Sequence, residues 1–198
     1  MDINLLIARR VRELREAQGF SLDALAERSG VSRSNISLIE RGQSSPTATV
    51  LDKLSTGLGV TVASLFEDGR AGAAAAVPSP LARVAEQPVW TDPASGYVRR
   101  NVSPGSVRSP LQLVDVIFPA GQRVAFETSA READVYQQVW MIEGQMELTV
   151  DGTPWLLQAG DCLAMRLNCP IVYRNPGRSA ARYLVALATL PFMPERKS

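Results

Sequence analysis

Through residues 1–68 the apolar positions recur at spacings of three and four, a period that predicts amphipathic helices joined by short turns. Five helices fit. The first carries Ile7, Val11 and Leu14 on one stripe. The second starts at Ser21 as N-cap, buries Leu22, Leu25 and Ala26, and is broken by Gly30. The third starts at Ser32, turns Ile36 and Ile39 inward, and stops before Gly42, a residue suited to the left-handed C-terminal position. A fourth follows Pro46 and places Val50 or Leu51, Leu54 and Leu58 inward, and a short fifth brings in Val62, Leu65 and Phe66.

That period is lost at Glu67 to Pro80, where small residues and two prolines give no amphipathic face and predict a linker. Beyond it the pattern alternates every second residue, in short runs separated by Pro, Gly, Asn and Asp. Strands are expected at Leu111 to Phe118, Tyr136 to Ile142, Gln145 to Val150, Trp155 to Gln158, Cys162 to Arg166, Ile171 to Arg174 and Arg182 to Leu190. The chain therefore divides into a helical domain at 1–68, a linker at 69–80 and an antiparallel β domain at 81–198, of α + β class overall.

Composition narrows the function classes. A chain of 198 residues with 45% apolar residues can fill two small cores, and no run approaches the roughly 18 apolar residues that span a bilayer. Met1-Asp2-Ile3-Asn4 has none of the marks of a secretory signal, so a cytoplasmic location is expected. With 21 basic and 20 acidic residues, net charge gives no global pointer to nucleic acid, and any basic footprint must be local. The two cysteines, Cys162 and Cys169, are expected as buried thiols. The sequence holds no histidine, which removes the commonest metal ligand and the usual neutral-pH base.

Residues Ser21 to Gly42 place two short helices around a glycine turn, a helix-turn-helix pattern. In such a unit the start of the second helix meets base edges in the major groove. Because Ile36 and Ile39 face the core, Arg33, Ser34 and Ser37 project outward. Arg33 is the best reader, since a guanidinium bonds guanine O6 and N7 together. Ser32, Asn35 and Arg41 suit phosphates, which set register without reading sequence. Ala26, Gly30-Val31-Ser32, Ile36, Glu40-Arg41-Gly42 and Pro46 all stand in the register of the lambda-repressor-like, or xenobiotic-response-element, family, which residues 5–66 closely resemble. The resemblance implies a five-helix bundle, DNA binding, and a pair between Glu40 and the first-helix arginine, here Arg15. Leu22 departs from it, standing where the family usually has glutamine.

Between Gly121 and Asn175, the runs Val139 to Gly152, Leu157 to Asp161 and Asn168 to Asn175 resemble the cupin family, a small jelly-roll barrel that normally holds a metal. The resemblance puts Gln137 at the metal-binding glutamate's position and Ile171 at a histidine's, so no metal and no cofactor are expected. Gln137, Val139, Met141, Ile171 and Tyr173 would line the interior, either as packed core or around a small-molecule effector. Arg166, at a strand end, is a surface residue or the partner of an anionic effector. Trp90, Trp140 and Trp155 are expected in the core or at an interface.

Together these readings describe a DNA-binding transcription regulator without enzyme activity, expected as a homodimer on a near-palindromic operator, controlled by an effector through the linker. Two alternatives stand beside it. One is a cupin metalloenzyme with an appended DNA-binding domain, and the other is an antitoxin-like module whose second domain grips a partner protein.

Overall fold

The computed structural model describes residues 2–66, 79–105, 107, 109–127 and 134–190. Nearly all of the expected linker lies outside these residues. The helical region contains α1 (Ile3–Ala17), α2 (Leu22–Ser29), α3 (Arg33–Glu40) and α4 (Ala48–Gly57). Ser21 caps α2 by accepting from the Ala24 amide at 3.1 Å, and Ser32 caps α3 by accepting from Asn35 at 3.3 Å. Gly30 ends α2 at φ 67°, a left-handed conformation that lets the chain turn at once into α3. Gly57 serves close approach instead, because a Cβ there would sit 2.8 Å from the Cβ of Ser29. It lets α4 lie against α2.

The expected fifth helix is a 3-10 turn, Val62–Phe66. Thr61 Oγ1 accepts from the Ser64 amide at 3.2 Å, and the Ser64 amide also bonds the Thr61 carbonyl at 3.0 Å. This three-residue closure favours the tighter helix. The four-helix count is thus one short of the sequence expectation.

The β region contains β1 (Val89–Thr91), β2 (Val98–Asn101), β3 (Leu111–Phe118), β4 (Arg123–Phe126), β5 (Asp134–Glu143), β6 (Gln145–Val150), β7 (Thr153–Gln158), β8 (Cys162–Arg166), β9 (Ile171–Arg174) and β10 (Ala181–Leu190). They form an antiparallel six-stranded sheet of order β1-β2-β3-β10-β5-β8 and a four-stranded sheet of order β4-β9-β6-β7. Among the described residues no strand of one sheet pairs with the other, so the predicted closed barrel is an open two-sheet sandwich. Its corners explain why. At Gly144, φ 78°, the chain passes from β5 in one sheet to β6 in the other, and a Cβ there would meet the Ala181 Cα at 3.0 Å. Strict alternation along β5 buries Val135, Gln137, Val139 and Met141 between the sheets and leaves Tyr136, Gln138, Trp140 and Ile142 exposed.

The two regions share one apolar core. Ala48, Asp52 and Ser55 form a second buried stripe on α4, beside the Leu51, Leu54 and Leu58 stripe that fills the helical core. At the seam the Ala48 amide donates to Asp92 Oδ1 at 3.0 Å, Thr49 Oγ1 donates to the Ala125 carbonyl at 3.3 Å, and Thr61 Oγ1 donates to Gln112 Oε1 at 3.2 Å. Phe66 meets Trp90 with ring centroids 5.9 Å apart. Among the described residues no helix is long and apolar enough to cross a membrane.

Candidate nucleic-acid interface and ligand cavity

The start of α3 faces solvent. Ser32, Arg33 and Ser34 are exposed while Ile36 and Ile39 are buried, so the helix presents one polar edge outward and an apolar edge to the bundle. Arg33, Ser34, Ser37 and Arg41 line an open groove with Leu22 and Leu38. Asn35 stands beside this groove, half-buried, with its amide held by Ser32. Of the six residues read from the sequence as DNA contacts, Arg33, Ser34, Ser37 and Arg41 line the groove, and Ser32 and Asn35 stand at the start of the same helix.

Two ion pairs set the chemistry of this face. Arg33 lies 3.2 Å from the exposed Asp23 of α2. An exposed pair of this kind contributes only about 0–1 kcal/mol, so it is easily traded for a base edge or a phosphate. Arg15 and Glu40 make the expected pair, with Nε to Oε1 at 2.6 Å and Nη2 to Oε2 at 2.9 Å, and Arg15 Nη1 also donates to the Phe20 carbonyl at 2.9 Å. The hydrogen bond that Arg15 donates to Glu40 raises the Arg15 pKa further above its ordinary value, against the effect of burial. This two-pronged clamp ties the end of α3 to α1. The remaining arginines of α1 are engaged along the same helix, Arg9 and Arg10 with Glu13 at 3.6 and 3.5 Å and Arg12 with Glu16 at 2.9 Å. Leu22 packs against the apolar core.

Residues 11–65 match the family described as Helix-turn-helix. Over 173 residues the chain is 28% identical to the HTH-type transcriptional regulator SutR of Escherichia coli, covering 87% of this chain and 89% of the relative. It is 23% identical over 185 residues to the HTH-type transcriptional regulator PuuR of the same organism, covering 93% and 96%. Residues 11–65 form a helix-turn-helix domain, and the chain is a DNA-binding transcription regulator. The regulator's fold also matches the crystal structure of an HTH_3 family transcriptional regulator from Vibrio cholerae, with a TM-score of 0.74 at 23% identity, over 94% of this chain and 96% of that one.

A second site lies inside the regulator. A cavity of about 80 Å³ opens between the two sheets at the end covered by the helical region. Gln137, Ile171 and Tyr173 line it as read from the sequence, whereas Val139 and Met141 are packed in the core beyond it. Its other walls include Tyr97, Arg99 and Tyr183, together with Asp52, Thr61 and Val62 of the helical region. Sequence pattern gave no access to Arg99, because Val98-Arg-Arg-Asn101 does not alternate in polarity and was not expected as a strand. Asp52 carried a signal, since a helix with Ala48, Asp52 and Ser55 at i, i+4 and i+7 beside a leucine stripe has little polar face left for water.

The donor set does not suit a divalent metal. The Gln137 amide donates to the Tyr173 hydroxyl and lies 3.9 Å from Met165 Sδ. Burial pushes the Tyr173 hydroxyl up to about 12, outweighing the Gln137 hydrogen bond, so it is a neutral phenol near pH 7. Amide, phenol and thioether leave Asp52 as the one carboxylate of the cavity wall, and the described residues contain no group of three His, Cys, Asp or Glu side chains placed to hold a metal.

Other expectations are corrected by exposure. Cys162, at the start of the edge strand β8, is exposed, and Cys169, beyond that strand, is half-buried. Trp90 is a core residue, while Trp140 and Trp155, 48% and 49% exposed on the outer faces of the sheets, are outside the core, which leaves the interface alternative for them. Arg166 is exposed and its guanidinium lies 6.0 Å from the Tyr136 ring centroid, away from the cavity walls.

Proposed function

We propose that the regulator reads its operator with the start of α3, Arg33 and Ser34 first and Ser37 behind them, while Ser32, Asn35 and Arg41 hold phosphates. A small molecule in the sandwich cavity sets the affinity. The observation that carries this reading is the composition of the cavity wall, which draws Gln137 and Tyr173 from the sheets and Asp52, Thr61 and Val62 from the DNA-binding region. A ligand there touches both regions, so its binding energy depends on how they are docked. That dependence is what control of DNA affinity requires. Two copies, joined through the exposed outer face of the six-stranded sheet, would place two recognition helices about 34 Å apart on a near-palindromic site.

The test is quantitative footprinting on an operator selected from genomic DNA by the full-length protein. Arg33→Ala is expected to weaken specific binding by about 1–3 kcal/mol and to relax one base position in each half-site. An unchanged footprint and affinity would remove Arg33 from the reading helix.

A further inference from the structure

The adjacent arginines of β2 meet opposite fates. Arg100 points to the outer face, where its guanidinium is bonded to Asp115, which also accepts from Arg182. Arg99 points inward and is only 9% exposed. Its Nε and Nη2 are buried without a hydrogen-bond partner among the described residues. Its guanidinium lies over the face of Phe66, 5.4 Å from the ring centroid. Burial drives the Arg99 pKa down from its ordinary value, and only tyrosines, Tyr97 foremost, act against it. A guanidinium stays charged at neutral pH and brings five donors in a fixed planar fork. Buried charges are normally paired, and an aromatic face compensates far less than a carboxylate does.

The same side chain lines the cavity, whose other walls are largely apolar or aromatic, among them Val116, Phe118 and Tyr183. We propose that the cavity binds a small organic monocarboxylate, its carboxylate seated on the fork of Arg99 and its short apolar body between the two sheets. This rests on the effector reading given above and names the ligand class. Size and charge both limit the choice. A cavity of about 80 Å³ admits a few heavy atoms beyond the carboxylate, and the carboxylate of Asp52 in the same wall disfavours a second negative charge. The seat also explains how occupancy reaches the helices. Phe66, which covers the guanidinium, closes the helical region and packs at a tilt against Trp90, so a carboxylate drawing the fork toward the cavity acts directly on the seam.

The probes are sodium acetate, propionate and butyrate, with propionamide and propylamine as neutral and cationic matches and sodium chloride at equal ionic strength as the inorganic control. Thermal unfolding and calorimetric titration of the full-length protein are followed with each. Carboxylates are expected to raise Tm in a saturable way that the amide, amine and chloride do not reproduce, and to change operator affinity at least several-fold. Arg99→Met, which removes the buried charge at similar length, is expected to unfold at the same or a higher temperature without ligand and to lose the carboxylate response. Arg99→Lys is expected to retain a weakened one. A carboxylate response that survives in Arg99→Met, or is matched by chloride, overturns the proposal, as does saturable binding of the amide or amine in place of carboxylates. That last result leaves effector control standing with a different ligand class. Absence of any response to all three charge classes overturns both readings.

Discussion

At the residue scale, charged groups in this protein divide by whether a partner is supplied. Asp115 is buried beneath Arg100 and Arg182, with Arg182 Nε at 3.0 Å. Burial acts to raise its pKa, but hydrogen bonds and charge from the two arginines outweigh it and hold the carboxyl below its ordinary value. A folded-state pKa below the unfolded one means stabilisation that is complete above about pH 4 and is lost as pH falls through the folded value. Acid unfolding curves of the wild type and Asp115→Asn should therefore converge below that range and separate above it. Parallel curves at every pH would show that the carboxylate contributes no linked stability. Arg99 is the contrasting case, a buried charge whose Nε and Nη2 have no hydrogen-bond partner among the described residues. The pair Arg15 and Glu40 was legible in the sequence through family register, whereas Arg99 was not, because nothing local distinguishes an inward arginine from an outward one until the strand's register is fixed.

At the scale of elements, α4 has a partner outside its own bundle. Asp92, in the turn between β1 and β2, accepts from the Ala48 amide at the first turn of α4 and also from the Ser95 amide at 3.0 Å. A carboxylate at a helix N-terminus satisfies an otherwise orphaned donor and complements the helix dipole. Asp92→Ala should cost about 0.5–2 kcal/mol, read as a Tm lower by roughly 2–4 °C per kcal/mol in a chain of this size. An unchanged Tm would mean that the seam does not depend on this cap. Element positions were largely legible in the sequence. Strands β3, β6, β8 and β9 begin and end where alternation predicts, and Ser21, Ser32 and Gly30 act as the caps and break that the sequence predicts. The strands missed, β1, β2 and β4, are three or four residues long and carry arginine or a single alternation. Such runs are too short for a period to register, and pairing with neighbours decides them.

At the scale of the whole molecule, the outer face of the six-stranded sheet exposes Trp140 at 48%, Tyr136 at 43% and Ile117 at 44%. Trp140 and Tyr136 pair across to Leu184 and Ala188 of β10, and Ile117 of β3 stands on the same face opposite Arg182, beside the ion cluster of Arg100, Asp115 and Arg182. Surfaces of this kind mark association sites. Light-scattering mass measurements should give a dimer for the wild type and a folded monomer for Trp140→Glu, with operator affinity reduced in the variant. A monomeric wild type that does not pair on DNA would end the two-half-site model.

The amide of Ala48 held by Asp92 and the ring of Phe66 set against Trp90 also bear on how such a protein can be rebuilt. A chimera that kept these sheets but borrowed another protein's reading head would leave Trp90 and Arg99 without their cover and Asp92 without its amide. New operator specificity is therefore better grafted as a few substitutions at the start of α3 than as an exchanged module.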